Sequence, residues 1–165
     1  MDILSAPYKT NYIGVKKDKS CVFCDIFAST KPKTDFGILY KDTELMILMN
    51  KFPYSPGHIL IVPICHIDNL EDLELSLWLK MSKALKQASS LLKDVLNAKG
   101  LNIGMNLAKA GGAGIEEHIH CHILPRWDGD TNFITSIGNA RVYRSDFDEI
   151  YKKLLKQSSK YFKLK

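Results

Sequence analysis

The stretch that decides the fold of this chain is Glu117-His118-Ile119-His120-Cys121-His122-Ile123-Leu124-Pro125-Arg126. Three of the five histidines lie here, each separated from the next by one apolar residue. Because successive side chains of a β-strand point to opposite faces, this alternation predicts a strand with the three histidines in a row on one face. The apolar residues between them then point into a core. Imidazoles are costly to bury without partners, so three in register indicate a working site rather than core histidines.

The size and composition of the chain predict one soluble domain. Its 165 residues allow a single sizeable core, and hydrophobic residues at 45% are usual for a globular protein. No apolar run approaches the roughly 20 residues that span a bilayer, and the first residues resemble no secretory signal. We expect one cytoplasmic domain over residues 1–165, with an N-terminal arm at residues 1–20, a C-terminal helix and tail at residues 134–165, and no membrane contact.

Lysines gather at both ends of the chain and give it a formal net charge of +5. A basic surface attracts phosphates or nucleic acid. However, aromatic and arginine residues are not interleaved with these lysines, as they usually are at a nucleic-acid interface. We therefore expect solvated ends and no nucleic-acid partner, with only weak support for an anionic substrate.

Hydrophobic and β-branched runs predict five strands. Four are expected at residues 36–41, 44–50, 58–63 and 101–107, and the histidine stretch from Glu117 is the fifth. The first two form a hairpin, and Pro53 and Pro56-Gly57 mark a loop before the third. Strands joined in this way around one long helix indicate an α+β fold with an antiparallel sheet.

Apolar residues spaced by three and four from Trp78 to Val95 predict that long helix over residues 70–98. Asp68 or Asn69 is the expected N-cap, and Gly100 the expected left-handed C-cap. The remaining expectations are a helical turn at residues 24–28, a glycine-rich loop at residues 109–114, a loop at residues 125–132, and a second helix from Ser145 to about Gln157.

Two explanations compete for the histidine row. In the first, all three histidines bind one metal; however, alternate strand residues lie about 6.6 Å apart, so His118 and His122 are about 13 Å apart and converge poorly. In the second, His120 is a nucleophile, since imidazole attacks phosphorus near neutral pH and forms a cleavable phosphoramidate. His122 can then donate a hydrogen bond to phosphate, and the small residues of the glycine-rich loop let backbone N–H groups approach it.

At this point the residues resemble a known family. The run from His118 to Leu124 is similar to the histidine triad signature, His-φ-His-φ-His-φ-φ, where φ is apolar. Asn50, residues 56–63 and residues 112–116 add to the similarity, which extends from about Cys21 to Asn132. Residues 125–133 resemble the branch that contains fragile histidine triad proteins and bacterial diadenosine tetraphosphate phosphorylases. Cys121 stands in a slot that is usually aliphatic.

The resemblance implies a histidine triad fold with a five-stranded antiparallel sheet, a symmetric homodimer, and a nucleotide substrate such as a dinucleoside polyphosphate. His120 would be the catalytic nucleophile and His122 would hold the α-phosphate. The other implied nucleotide-binding residues are Asn50 at the ribose, Asn106 at the phosphates, Gly112, Ala113, Gly114 and Ile115 in the loop, and Leu48 and Leu60 beside the base. Leu48 and Leu60 can equally be plain core residues, and His58 can be structural or catalytic.

A metal site is expected at four residues, one of which is His118 of the histidine row. Cys21-Val22-Phe23-Cys24 has the spacing of a metal knuckle, which needs two more ligands. Zinc-bearing members of the resembling family add a histidine after the third strand and the first triad histidine, which here are His66 and His118. Two sulfurs and two imidazoles suit a closed, structural Zn²⁺ site, and Cys65 and Cys121 remain as small apolar residues.

The activity implied by the resemblance is a nucleotide hydrolase or a diadenosine tetraphosphate phosphorylase, depending on whether water or phosphate accepts the nucleotidyl group. Two alternatives stay open. One is an adenosine phosphoramidase of the same superfamily, against which Trp127 and the acidic loop after it count. The other is a non-catalytic nucleotide-binding sensor that uses the same pocket.

Overall fold

The structure is a computed structural model that describes residues 20–138 and 146–164. The predicted N-terminal arm, apart from Ser20, and the predicted helix start at Ser145 lie outside these residues.

Five antiparallel strands form one sheet in the order β1-β2-β3-β5-β4. Their bounds are β1 Ile38–Lys41, β2 Leu45–Met49, β3 Ile59–Pro63, β4 Gly100–Met105 and β5 Cys121–Arg126. The strand register places Leu48, Leu60, His122 and Gly104 in one row across four strands. The predicted α+β class and five-stranded antiparallel sheet are therefore confirmed.

Within the described residues, four α-helices accompany the sheet: α1 Val22–Ala28, α2 Leu75–Leu96, α3 Phe133–Gly138 and α4 Phe147–Tyr161. Helices α2 and α4 cover one face of the sheet and enclose the main core. In this core lie Ile119, Cys121 and Ile123, whereas the three histidines point to the opposite face. The alternation expected from the sequence is confirmed. None of the helices in the described part of the chain has the length and apolar character needed to span a bilayer.

The predicted ends of the long helix were wrong. Leu70–Asp72 forms a separate 3-10 turn, and α2 begins only at Leu75. Glu74 is the cap in place of Asp68 or Asn69, because its carboxylate accepts hydrogen bonds from the amides of Ser76 and Leu77. At the other end, Asn97 adopts the left-handed conformation (φ 53°) expected of Gly100. Gly100 instead pairs with Arg126 at the start of β4.

Other boundaries also differ. Strand β5 begins at Cys121 and not at Glu117, and it continues through Pro125 and Arg126, which were expected in a loop. His118 and His120 lie in the segment before it, outside regular secondary structure, where Ile119 donates its N–H to the carbonyl of Ile67 beyond β3 (2.8 Å). The remaining differences are Phe36 in a 3-10 turn, β4 ending at Met105, α1 starting at Val22, α4 reaching Tyr161, and the unpredicted helix α3.

Candidate active site and metal centre

The protonation of His118 is set by the main chain of β3. Its Nε2 lies 2.9 Å from the carbonyl oxygen of Pro63, and a carbonyl only accepts hydrogen bonds, so Nε2 carries the proton. The lone pair is therefore on Nδ1. That atom faces two thiols, with Cys21 Sγ at 3.4 Å and Cys24 Sγ at 3.7 Å. A carbonyl that fixes the tautomer of a histidine in this way is the usual outer partner of a metal ligand.

Cys21, Cys24, His66 and His118 form one cluster. Their ligand atoms all lie within 4.8 Å of one another, and Cys24 Sγ lies 3.4 Å from His66 Nδ1. In tetrahedral zinc, bonds of about 2.3 Å to sulfur and about 2.0 Å to nitrogen place these atoms about 3.5 Å apart. The described geometry therefore fits a metal ion held by two thiolates and two imidazoles. Cys21 is the N-cap residue of helix α1 and Cys24 lies in its first turn, and the segments after β3 and before β5 supply the histidines.

The electrostatics of the two thiols also favour a cation. Burial, together with the neighbouring Cys21, raises the pKa of the Cys24 thiol to about 11. Two adjacent thiolates are therefore unfavourable on their own, and a divalent cation between them would offset that cost.

A main-chain carbonyl sets the tautomer of His120. Its Nδ1 lies 2.9 Å from the carbonyl oxygen of His118, so Nδ1 carries the proton and Nε2 keeps a lone pair. The side chain is buried, with 5% of its surface exposed. Burial lowers the pKa of His120, which keeps the imidazole neutral and able to attack at neutral pH.

A second hydrogen-bond chain sets the tautomer of His122. The amide N–H of Tyr54 donates to His58 Nδ1 (3.2 Å), so the proton of a neutral His58 is on Nε2. His58 Nε2 then donates to His122 Nδ1 (2.9 Å), which leaves the His122 proton on Nε2. This N–H is buried and has no hydrogen-bond partner within residues 20–138 and 146–164. A buried, unpaired donor of this kind marks a place for an acceptor, such as a phosphate oxygen.

The lowered pKa values of His58 and His122 agree with this hydrogen-bond chain. Burial, followed by the proximity of His122 and His120, lowers the pKa of His58 to about 3. Burial and the proximity of His120 lower the pKa of His122 to about 4. Both imidazoles are therefore neutral at neutral pH, as the alternating donors and acceptors require.

These shifts predict a pH dependence of stability. Between pH 6.5 and about 4 the unfolded chain protonates these histidines and the folded chain does not, so the free energy of unfolding should decrease as the pH falls. Each histidine contributes about 1.4 kcal/mol per pH unit. Because His58→Gln removes one titrating group, we expect its unfolding free energy to fall less steeply by that amount. Urea unfolding from pH 4.5 to 6, in chelator so that metal release is excluded, measures both slopes. Equal slopes would show that His58 titrates normally in the folded protein.

Residues of β2 and β3, Asn50 and the glycine-rich loop surround the triad, His118, His120 and His122. Leu60 is the cross-strand neighbour of His122, and Leu48 is the neighbour of Leu60; both are buried on the triad face. Asn50 accepts the N–H of Phe52 through Oδ1 (3.0 Å), and its Nδ2 lies 3.2 Å from His58 Nδ1. Asn50, the residue predicted to bind the ribose, therefore contacts His58 of the hydrogen-bond chain.

The glycine-rich loop returns to the same face. A side chain at Gly111 would lie 2.2 Å from the carbonyl oxygen of Leu107, and Gly112 has a φ of +85°, so the turn requires glycine at both positions. Ile115, at the end of the loop, packs against the cluster that contains Phe23, Leu48 and Leu60. Asn106 precedes the loop and is half-buried.

The arrangement of the site agrees with a known family. The HIT domain family matches residues 31–129, a range that includes His58, His66 and the histidine row. The chain is a HIT family protein. The resemblance to histidine triad proteins is thereby confirmed.

This HIT protein is similar to proteins of several organisms. It is 33% identical over 150 residues to an AP-4-A phosphorylase of Mycobacterium tuberculosis, covering 84% of this chain and 75% of the relative. It is 31% identical over 110 residues to an adenylylsulfatase of Arabidopsis thaliana, covering 67% of this chain and 54% of the relative. The structure is similar to that of a Zn-bound histidine triad family protein of Mycobacterium smegmatis, with a TM-score of 0.70, 27% identity, and coverage of 86% and 94%.

The HIT fold brings the predicted residues together in two groups. The four expected metal ligands form one cluster, and His120 contacts His122 with ring centroids 4.9 Å apart. Sequence reasoning missed Tyr54, whose ring lies 5.9 Å from that of His122, and Phe23, whose ring lies 5.1 Å from that of His120. The positions of these aromatic residues, four before His58 and between the two cysteines, were the available signals.

Proposed function

We propose that this HIT protein cleaves dinucleoside polyphosphates of the diadenosine tetraphosphate type through a covalent nucleotidyl-His120 intermediate. One observation carries the proposal. Hydrogen bonds to main-chain groups set the tautomers of two adjacent rings. The carbonyl of His118 leaves a lone pair on His120 Nε2. The amide of Tyr54, acting through His58, leaves a proton on His122 Nε2. A nucleophile beside a donor is the arrangement that nucleotidyl transfer needs.

In the proposed first step, His120 Nε2 attacks the α-phosphorus. The N–P bond forms as the bond from phosphorus to the bridging oxygen breaks, and the electron pair of that bond leaves on ATP. His122 donates its Nε2–H to a nonbridging oxygen of the α-phosphate, where negative charge is concentrated in the transition state. The buried surroundings strengthen this hydrogen bond.

In the proposed second step, an acceptor oxygen attacks the same phosphorus and the N–P bond returns its electrons to His120 Nε2. Inorganic phosphate as acceptor gives ADP, and water gives AMP and a proton. We propose phosphate, with support from the similarity to the Mycobacterium tuberculosis AP-4-A phosphorylase. The Arabidopsis relative is named for a different adenylyl substrate, so the acceptor and leaving group are decided by experiment.

The substrate contacts that we propose follow from the walls of the site. Leu48 and Leu60 flank the base on the triad face, and Asn50 binds the ribose. Asn106 and the loop residues Gly112, Ala113, Gly114 and Ile115 bind phosphate oxygens, the loop through backbone N–H groups.

We propose zinc as the metal at Cys21, Cys24, His66 and His118. The donor set and its spacing support this choice, as does the similarity to a Zn-bound histidine triad family protein. With four protein ligands, the ion supplies a structural cross-link between α1 and the sheet and no open coordination position.

We also propose a homodimer. Strand β4 is an edge of the sheet, and its residue Ile103 is 51% exposed. An edge strand with an exposed apolar side chain suits pairing with a second copy. Sedimentation velocity of the purified protein should give the mass of two chains.

Product analysis tests the acceptor. We expect the protein to convert diadenosine tetraphosphate to ADP and ATP only when inorganic phosphate is present, because phosphate is the proposed partner of the second step. Chromatography of products with and without phosphate gives the answer, with His120→Ala as the blank. AMP and ATP formed at the same rate in both samples would make the protein a hydrolase.

A further inference from the structure

Helix α1 presents its first two residues, Val22 and Phe23, in opposite directions. Between Cys21 and Cys24, Val22 is 45% exposed and Phe23 only 3%. The ring of Phe23 points onto the triad face, where its centroid lies 5.4 Å from that of His118 and 5.1 Å from that of His120. One side chain of the metal knuckle thus contacts both a metal ligand and the nucleophile.

The nucleophile is restrained on several sides by these contacts. Its Nδ1 is held by the carbonyl of His118, and its ring contacts Phe23 and His122. Rotation of the His120 imidazole would break the hydrogen bond and would require space that Phe23 fills. The direction of the Nε2 lone pair therefore depends on the position of Phe23.

The position of Phe23 depends in turn on how α1 is anchored. A helix of seven residues has little stability of its own. At its start, Cys21 and Cys24 belong to the metal cluster. At its end, Lys41 of β1 donates to the carbonyl oxygen of Phe27 (2.6 Å). The metal cluster is the anchor that lies next to Phe23 in the sequence.

We propose that Phe23 is a positioning residue that connects the metal cluster to the nucleophile, so that the knuckle holds the His120 imidazole in its attacking orientation. This inference rests on the proposed function for the identity of the reaction. It gives the metal knuckle a role in the rate of attack in addition to its role in stability.

The test compares three zinc-loaded variants with the wild-type protein. Phe23→Ala removes the ring, Phe23→Leu keeps apolar volume without a flat ring, and Val22→Ala is the control on the exposed side of the same helix. All four metal ligands are intact in each variant, so each should bind as much zinc as the wild-type protein. Zinc content is measured first to verify this. Long-range ¹H–¹⁵N spectra of labelled histidine then report the tautomer of His120, and steady-state kinetics give kcat and KM.

In wild-type protein and Val22→Ala we expect a single His120 tautomer with the proton on Nδ1. In Phe23→Ala the His120 signals should average between tautomers, and kcat should fall about tenfold or more, since small displacements of a reacting group have effects of this size. KM should change by a smaller factor than kcat, because Leu48, Leu60, Asn50 and the glycine-rich loop are all retained in these variants. Phe23→Leu should lie between the two proteins, and it carries the test alone if Phe23→Ala does not fold.

A purely structural role predicts a different result. Zinc-loaded Phe23 variants would then melt at a lower temperature but keep one His120 tautomer and the wild-type kcat, which would overturn the proposal. Wild-type protein that forms no nucleotidyl-histidine would refute the proposed reaction instead. The tautomer spectra would still decide the positioning role in that case, so the two failures are distinguishable.

Discussion

Replacing His120 with alanine should lower the turnover of diadenosine tetraphosphate by roughly 10⁴-fold or more, the scale of loss when a covalent nucleophile is removed. The side chain is buried between Phe23 and His122, and its Nε2 has a lone pair because Nδ1 carries the proton. Because His122, Asn50 and the loop remain in place, the affinity for AMP should change only a few-fold. Initial rates by chromatography and AMP titration by calorimetry measure the two effects.

His122→Ala is the matched comparison for that variant. It removes the buried N–H donor but leaves the nucleophile, so we expect a smaller loss of about 10²- to 10³-fold, the usual effect of one transition-state donor. Turnover that persisted unchanged in His120→Ala would contradict the mechanism. Wild-type protein that bound AMP without any turnover would instead favour a nucleotide-binding sensor.

Replacing Cys24 with serine should have the largest effect on stability. Cys24 Sγ is within 3.7 Å of ligand nitrogens of both His66 and His118, and a serine hydroxyl does not replace a thiolate on zinc. Because binding energy at a structural zinc site contributes directly to folding, we expect less than one zinc per chain. The melting temperature should fall by about 10 °C or more. Metal analysis and thermal unfolding measure these quantities.

Cys65→Ala is the matched control, because Cys65 is adjacent to His66 in the sequence but is not part of the metal cluster. It should keep a full complement of zinc and melt within about 3 °C of the wild-type protein, as expected for a small apolar truncation. If Cys24→Ser kept one zinc per chain and the wild-type melting temperature, the proposed metal site would be wrong.

The faces of the sheet followed from the sequence because side-chain direction in a strand depends only on odd and even position. That rule placed Ile119, Cys121 and Ile123 in the main core and the histidines opposite them, as the structure shows. The boundaries were less predictable. Glu74 replaced the expected caps because its carboxylate reaches two free amides of the first turn, a contact that composition does not distinguish from those of nearby acidic residues.

The proton positions of the site could not be predicted from the sequence. They depend on the main-chain carbonyls of Pro63 and His118 and on the amide of Tyr54, and the fold decides which imidazole nitrogen each of these groups meets. Main-chain groups are the same for every residue type, so no sequence pattern reports them. Likewise, Cys21 and His118 are far apart in the chain and meet only after folding. The spacing of the two cysteines indicated a metal knuckle, whereas its two histidine ligands were anticipated only through family resemblance.

The most direct measurement is the intact mass of the protein after brief mixing with diadenosine tetraphosphate in the absence of phosphate. The proposed mechanism predicts one added adenylyl group, located by peptide mapping on His120, labile in acid, and discharged to ADP when phosphate is added. The His120→Ala variant should show no added mass. Turnover with no adduct at any mixing time, or an adduct on another residue, would contradict His120 as the nucleophile.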